Sequence, residues 1–202
     1  MQLAGSFAKR NYRVLVADAD PQATATRWAA SAEEGKLFPA TVVGLHAAGG
    51  KIHREIKKFI NDYQLILIDC PPAADSPVPQ SALMVSDLAL VPMIPSPLDI
   101  WAAVGIKQVI EKIQDINEDL KARLVINQCQ PQTTLARDVI DLLGDFGIEM
   151  LKSHLHQRVV YRQGPAIGGT VHDFGSKAAA AIMEMERVSD EVADILGIPK
   201  IL

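Results

Sequence analysis

Residues 14–22 read VLVADADPQ. Val14, Leu15, Val16 and Ala17 form a short apolar run with two β-branched residues, the pattern of a buried strand. The run ends on Asp18 and Asp20, followed at once by Pro21 and Gln22. A buried strand that carries two carboxylates at its C-terminal edge places charge where open parallel sheets bind their ligands, beyond the carboxyl ends of the strands. The same device recurs at 65–72, LILIDCPP, where an apolar run ends on Asp69. A lone Asp in such a place is usually a turn or helix cap. Two strands ending in DADPQ and DCPP favour a site over a pair of caps.

Outward from these strands, further apolar runs lie at 41–45, 88–91 and 124–126, with a weaker one near 148–151. Helical spacing separates them. It is carried by Leu135, Val139, Leu142, Leu143 and Phe146, and by Ala178, Ile182, Met185, Val188, Val192 and Ile195. Residues 51–63 and 98–116 are further helix candidates, 1–10 reads as part of a helix, and 71–79 reads as a Pro-rich loop. Nearly continuous Val/Ile/Leu strands, each followed by a helix, predict an α/β fold: a mostly parallel twisted sheet with helices on both faces. No linker or repeat divides the chain, so residues 1–202 are expected to form a single domain.

The 202 residues are 49% hydrophobic and 22% charged, a globular composition. No apolar run approaches the ~20 residues of a membrane helix. Cys70 and Cys129 lie far apart in apolar contexts, as free thiols of a reducing cytoplasm do. His154 and His156 alternate along one stretch, as metal ligands can, but no Cys or acid cluster supports them, and they read as surface or packing residues. The net charge of −4 gives no global attraction to nucleic acid, so contact with DNA needs a local basic patch. A strand-tip carboxylate is also how P-loop NTPases hold Mg²⁺.

The segments LAGSFAKRNYRVLVADADPQATATRW, LILIDCPP, MVSDLALVPMIPSPLDIWAA, LVINQ and LHQRVVYRQG resemble, in order, those of the ParA-type ATPases of plasmid and chromosome partition, in the deviant Walker A group that includes MinD. The family's opening strand and KGGxGKT loop, whose backbone N–H groups and lysine cradle phosphates, have no counterpart in these residues. Gly49-Gly50-Lys51 is the nearest string and reads as a helix N-terminus. By the resemblance, Met1 aligns inside the family's first helix. The domain is therefore expected to be N-terminally truncated relative to the family by roughly 15–20 residues, and loss of the inner strand would expose two strand edges.

The resemblance implies roles residue by residue. Asp20 orients or activates the attacking water, and Asp18 is the neighbouring acid that supports the magnesium and switch region. Asp69 binds Mg²⁺ through a water, and Pro71 with Pro72 stiffens a loop that senses the γ-phosphate. Asn127 reads the adenine edge. Asp99, in PSPLDIW, caps a helix near a dimer interface. Arg158 lies near the nucleotide and, with Arg162 and Lys177, on the DNA-facing rim; Lys107 and Lys112 are further cations for that surface. The implied protein is a cytoplasmic, nucleoid-associated ATPase using ATP and Mg²⁺. It forms an ATP-dependent homodimer, binds DNA without sequence preference and works with a ParB-like adaptor. Two alternatives stand beside it: a non-catalytic ParA-like binding module, and a MinD-like membrane-associated ATPase. The second would need a basic amphipathic C-terminal helix, which EVADILGIPKIL does not supply. An iron–sulfur relative is disfavoured by the two distant cysteines.

Overall fold

Strand β1 (Val14–Asp18) is buried at every position, as its unbroken apolar sequence requires. The computed structural model describes residues 1–130 and 134–199. In it β1 lies between β2 (Thr41–Gly44) and β3 (Leu65–Asp69), parallel to both. The register sets Asp18 beside Gly44 on one side and Asp69 on the other. A second parallel ladder joins β4 (Leu88–Met93) to β5 (Lys121–Ile126). Among the described residues every strand ladder is parallel, and the helices lie on both faces, as the α/β reading expects.

The eight α-helices of the described residues are α1 (Gln2–Lys9), α2 (Thr24–Ala30), α3 (Ile52–Ile56), α4 (Pro77–Leu83), α5 (Pro97–Gln114), α6 (Thr134–Leu143), α7 (Val159–Gln163) and α8 (Ala179–Leu196). Strand side chains alternate between faces. Val14 and Val16, Leu65 and Leu67, Leu88 and Leu90, and Val125 all turn toward Phe7 of α1 and Val188 and Val192 of α8. The opposite positions divide. Ala17, Ile66 and Ile68 meet Ile52 and Ile56 of α3 and Val78 and Ala82 of α4. Val91, Met93, Leu124 and Ile126 meet Val109, Ile110 and Ile113 of α5 and Val139 and Leu143 of α6. Thus β3 and β4 share a core beneath α1 and α8 although no ladder joins them among the described residues. Helices α1 and α8 are tied further by Arg10, which binds Glu186 at 2.5 Å and Asp190 at 2.8 Å.

Four local expectations change. The run near 148–151 is not a strand but an isolated bridge, Met150 to Leu124. Beyond it the N–H groups of Lys152 and Ser153 donate to the Glu191 carboxylate, each at 2.7 Å, and so are withdrawn from a ladder with β5. The expected helix over 51–63 keeps its α form only in α3; a 3₁₀ segment (His46–Lys51) precedes it, with Gly49 at φ 50°, and tight turns follow. The loop expected over 71–79 ends early, because Ser76 accepts from the Val78 N–H and Pro77 occupies the first turn of α4. Helix α5 is capped by Ser96, whose Oγ accepts from the Asp99 N–H at 3.2 Å. Asp99 therefore sits in the first turn and not at the cap, its carboxylate bonded back to Ser96. No described helix is long and apolar enough to cross a membrane.

Candidate functional site

The register that pairs β1 with β3 sets two carboxylates side by side. Asp18 is fully buried, and Asp69 is exposed at the adjacent strand tip. The Ala19 N–H donates to the Asp69 carbonyl at 2.9 Å and the Leu45 N–H to the Asp18 carbonyl at 2.7 Å, which fixes all three strand ends. One oxygen of Asp18, Oδ2, accepts from the Thr26 N–H at 2.7 Å and the Thr26 hydroxyl at 2.8 Å, anchoring α2. The other, Oδ1, is buried with no partner. A buried acceptor left unpaired costs about 1–3 kcal/mol, more for an ion, so Asp18 has an oxygen to offer a water or cation.

Asp20 follows, half-buried, with Oδ1 accepting from the Gln22 N–H at 2.8 Å. This closes the DPQ turn and leads into Ala23, held at φ 50°. The Asp69 carboxyl is pushed above its ordinary value: packing of the strand tips desolvates it, and the charges of Asp18 and Asp20 add to the rise. Cys70, next in line, is pushed up to about 12, chiefly by burial and then by Asp69 and Asp20. It is a neutral thiol and no nucleophile. Pro71, half-buried, opens the loop beyond it.

Asp18, Asp20, Asp69 and Pro71 therefore come together. Asn127 closes β5 in the other ladder, with its N–H on the Met93 carbonyl at 2.8 Å. Its Oδ1 accepts from the Gln128 N–H at 2.9 Å, stabilising a left-handed turn with Gln128 at φ 51°.

Among the described residues no three His, Cys, Asp or Glu side chains converge closely enough to hold a metal directly. Strand-tip acids with one orphaned oxygen fit a cation that keeps its waters, as Mg²⁺ does. Phosphates are a different matter. Lys51 is exposed and Gly50 packs toward Pro77 in the 3₁₀ segment after β2, so Gly49-Gly50-Lys51 is not a phosphate loop. The acids fit hydrated Mg²⁺; residues 1–202 contain no glycine-rich cradle for a triphosphate.

A second charged centre lies on α8. Glu184 is buried; its Oε1 accepts from Arg158 Nε at 3.0 Å, Arg158 Nη2 at 2.5 Å and His156 Nδ1 at 2.8 Å, and its Oε2 from the His156 N–H at 3.2 Å. Burial pushes the Glu184 carboxyl up, but the Arg158 and His156 hydrogen bonds and the Arg158 charge outweigh it, and the net direction is down. His156 thus packs against an acid 28 residues away in sequence, which the local reading missed. One signal for it was present, since Glu184 falls among Ala181, Met185 and Val188 on the buried side of α8. Arg158 is committed to Glu184. Arg162 and Lys177 are exposed, and Lys177 borders, with Arg158 and Phe174, an open cleft of about 410 Å³. Lys107 is engaged with the Phe146 carbonyl at 2.7 Å and with Glu111 at 3.6 Å.

An open parallel sheet whose neighbouring strands end in carboxylates at the ligand edge is the arrangement of P-loop NTPase folds. Known proteins agree. The AAA domain family model matches residues 40–126. Maintenance of carboxysome distribution protein A of Halothiobacillus neapolitanus is 29% identical over 180 residues, 89% of this chain and 82% of that protein. The chromosome-partitioning ATPase Soj of Thermus thermophilus is 24% identical, over 95% of this chain and 88% of its own length. Among solved structures, the MinD cell division protein of Aquifex aeolicus superposes with a TM-score of 0.67 at 18% identity, over 92% of this chain and 87% of that one. The chain is thus similar in sequence to proteins that position carboxysomes and partition chromosomes, and it shares its fold with MinD.

Proposed function

We propose that this chain is the nucleotide-handling core of a ParA-type cargo-positioning system, in which ATP drives dimerisation, sequence-independent DNA binding and engagement of a ParB-like adaptor. The observation that carries this reading is the acid triad: Asp18 and Asp69 in register on adjacent strands, with Asp20 on the next turn and one Asp18 oxygen unpartnered. In this role Asp69 and Asp18 hold hydrated Mg²⁺ through water, and Asp20 positions the attacking water and accepts its proton. Pro71 stiffens the loop that follows Asp69, and Asn127 faces the base. The relatives' names include carboxysome distribution and chromosome partitioning, which supports a general positioning role over a plasmid role in particular. Leu98 and Trp101, each 70% exposed at the start of α5, support a surface for a second copy. Arg162 and Lys177, with Arg158 behind them, remain cations for DNA at the nucleoid.

In the ATPase reading the phosphate cradle is a strand and KGGxGKT loop outside residues 1–202, and the break between β3 and β4 among the described residues supports a place for that strand. The absence of the loop from residues 1–202 favours a second reading, a non-catalytic binding module. ATP titration and turnover on two chains separate them: the 202 residues alone, and the same chain extended by its upstream reading frame. The first is expected to bind ATP–Mg²⁺ weakly or not at all, the second to bind and hydrolyse it. An upstream frame without the loop, or an extended chain that does not turn over ATP, removes the ATPase reading in favour of the module.

A further inference from the structure

Most cations whose side chains the structure describes are already engaged. Arg10, Arg123 and Arg158 pair with carboxylates, and Lys107 and Lys121 donate to backbone carbonyls. Lys51, Arg54 and Lys57 are among those that are not, and they follow one another at spacings of three. All are exposed, and none makes an ion pair or side-chain hydrogen bond within the described residues. The single acid among them, Glu55, is taken by Lys58 at 2.6 Å.

The backbone lines the three up. Lys51 closes the 3₁₀ segment, α3 runs from Ile52 to Ile56, and Lys57 continues in helical conformation at φ −57°, ψ −22°. Residues three apart on such a path share a side, roughly 4.5–6 Å apart along the axis. The other side is pinned, because Ile52 and Ile56 are buried against Val78 and Ala82. Like charges at this spacing repel and destabilise a helix. A chain with net charge −4 that nevertheless gathers three uncompensated cations on one rigid element presents a complement to a polyanion.

We propose that the Lys51–Arg54–Lys57 row contacts the phosphate backbone of duplex DNA; this rests on the DNA-binding reading above and assigns it a surface the sequence motifs did not. A single exposed apolar residue, Ile60, ends the row, too little for the apolar centre of a protein interface. Lysine and arginine contacts to phosphate carry no sequence information, as a nonspecific track requires.

The 202-residue chain and its upstream-extended form with ATP are titrated against a labelled mixed-sequence duplex, with salt raised from roughly 50 to 200 mM. The triple variant Lys51→Gln, Arg54→Gln, Lys57→Gln is expected to melt with the parent and to lower the salt slope by about three units per protomer. Removing the same charge from dispersed exposed positions, by Lys9→Gln, Lys152→Gln, Arg187→Gln, is expected to change it by less than one unit. The charge-preserving swap Lys51→Arg, Arg54→Lys, Lys57→Arg is expected to restore the slope. An unchanged slope in the row variant, equal losses in both triple variants, or no duplex binding by the parent at the lowest salt overturns the proposal. So does a row variant that keeps DNA but loses capture of polyglutamate, which assigns the row to an acidic protein. ATP turnover by the extended chain, measured in parallel, reports on the ATPase reading independently.

Discussion

Replacing Glu184 with glutamine isolates the charge of the α8 centre while keeping its shape. In the parent, Arg158 and His156 all donate to one carboxylate whose side chain is 10% exposed. Hydrogen bonds to a charged group contribute about 1.5–3 kcal/mol against about 1 for neutral pairs. Arg158, however, is 37% exposed, and solvent screening reduces its ion pair to roughly 1 kcal/mol. The weakened His156 contact adds about as much. Glu184→Gln should therefore cost about 2 kcal/mol, or roughly 4–8 °C in Tm for a domain of this size. The pH dependence has a definite sign. Because the folded-state carboxyl of Glu184 is depressed, its stabilisation is complete above the ordinary value of 4.5 and is lost as the pH falls from there through the lower folded value. Urea titrations of both proteins at pH 7 and near pH 3 should show the gap at neutrality and its closure in acid. A gap below about 0.5 kcal/mol at pH 7, or one that persists unchanged in acid, refutes the argument.

In an extended chain that hydrolyses ATP, Asp20→Ala should retain nucleotide binding and abolish turnover, whereas Asp69→Ala should also weaken Mg²⁺-dependent binding; parental turnover in Asp20→Ala removes its assigned role. Trp101→Ala should leave the unfolding midpoint unchanged, because the indole is 70% exposed, yet abolish ATP-dependent dimerisation in sedimentation; a dimer of parental affinity excludes this face. Gly168→Ala should destabilise the fold by about 2–4 kcal/mol, since a Cβ there meets the Ala32 backbone at 2.1 Å and φ is +58°. Calorimetry showing a parental Tm would contradict that packing.

The strands were legible because their apolar runs are uninterrupted, and the acid pair because both runs end on Asp. Register did the remainder, placing Asp18 against Asp69 without any long-range guess. What escaped the local pattern was decided by side chains competing for backbone. Glu191 takes the N–H groups that a strand beyond Met150 would need, and Ser76 and Ser96 cap helices that apolar spacing alone cannot start. Arg158 was legible as a cation but not as an occupied one, because its partner lies 26 residues downstream. The free cations in and beside α3 carried no motif and gained meaning only once their neighbours' pairings were known.

The two ladders end on different groups. The first carries Asp18 and Asp69 at its strand tips, with Asp20 just beyond; the second ends on Asn127, and the bridge from Cys129 to His156 beside it leads to Arg158. No strand ladder links β3 to β4 among the described residues; the ladders are joined by the apolar face under α1 and α8, by α4, whose Leu83 packs into the α5 core, and by Asn117, whose Nδ2 donates to the Leu83 and Ser86 carbonyls. Apolar packing is strong but non-directional, and it fixes separation better than it fixes the relative tilt of two polar rims. A ligand bonded to both the acid tips and the Asn127 turn would add directional contacts at the ligand edge, where no strand hydrogen bond joins β3 to β4 among the described residues. Its binding energy would then tighten the relation between the ladders as well as fill the site, so occupancy should be read out at α1 and α8, on the far face from α3.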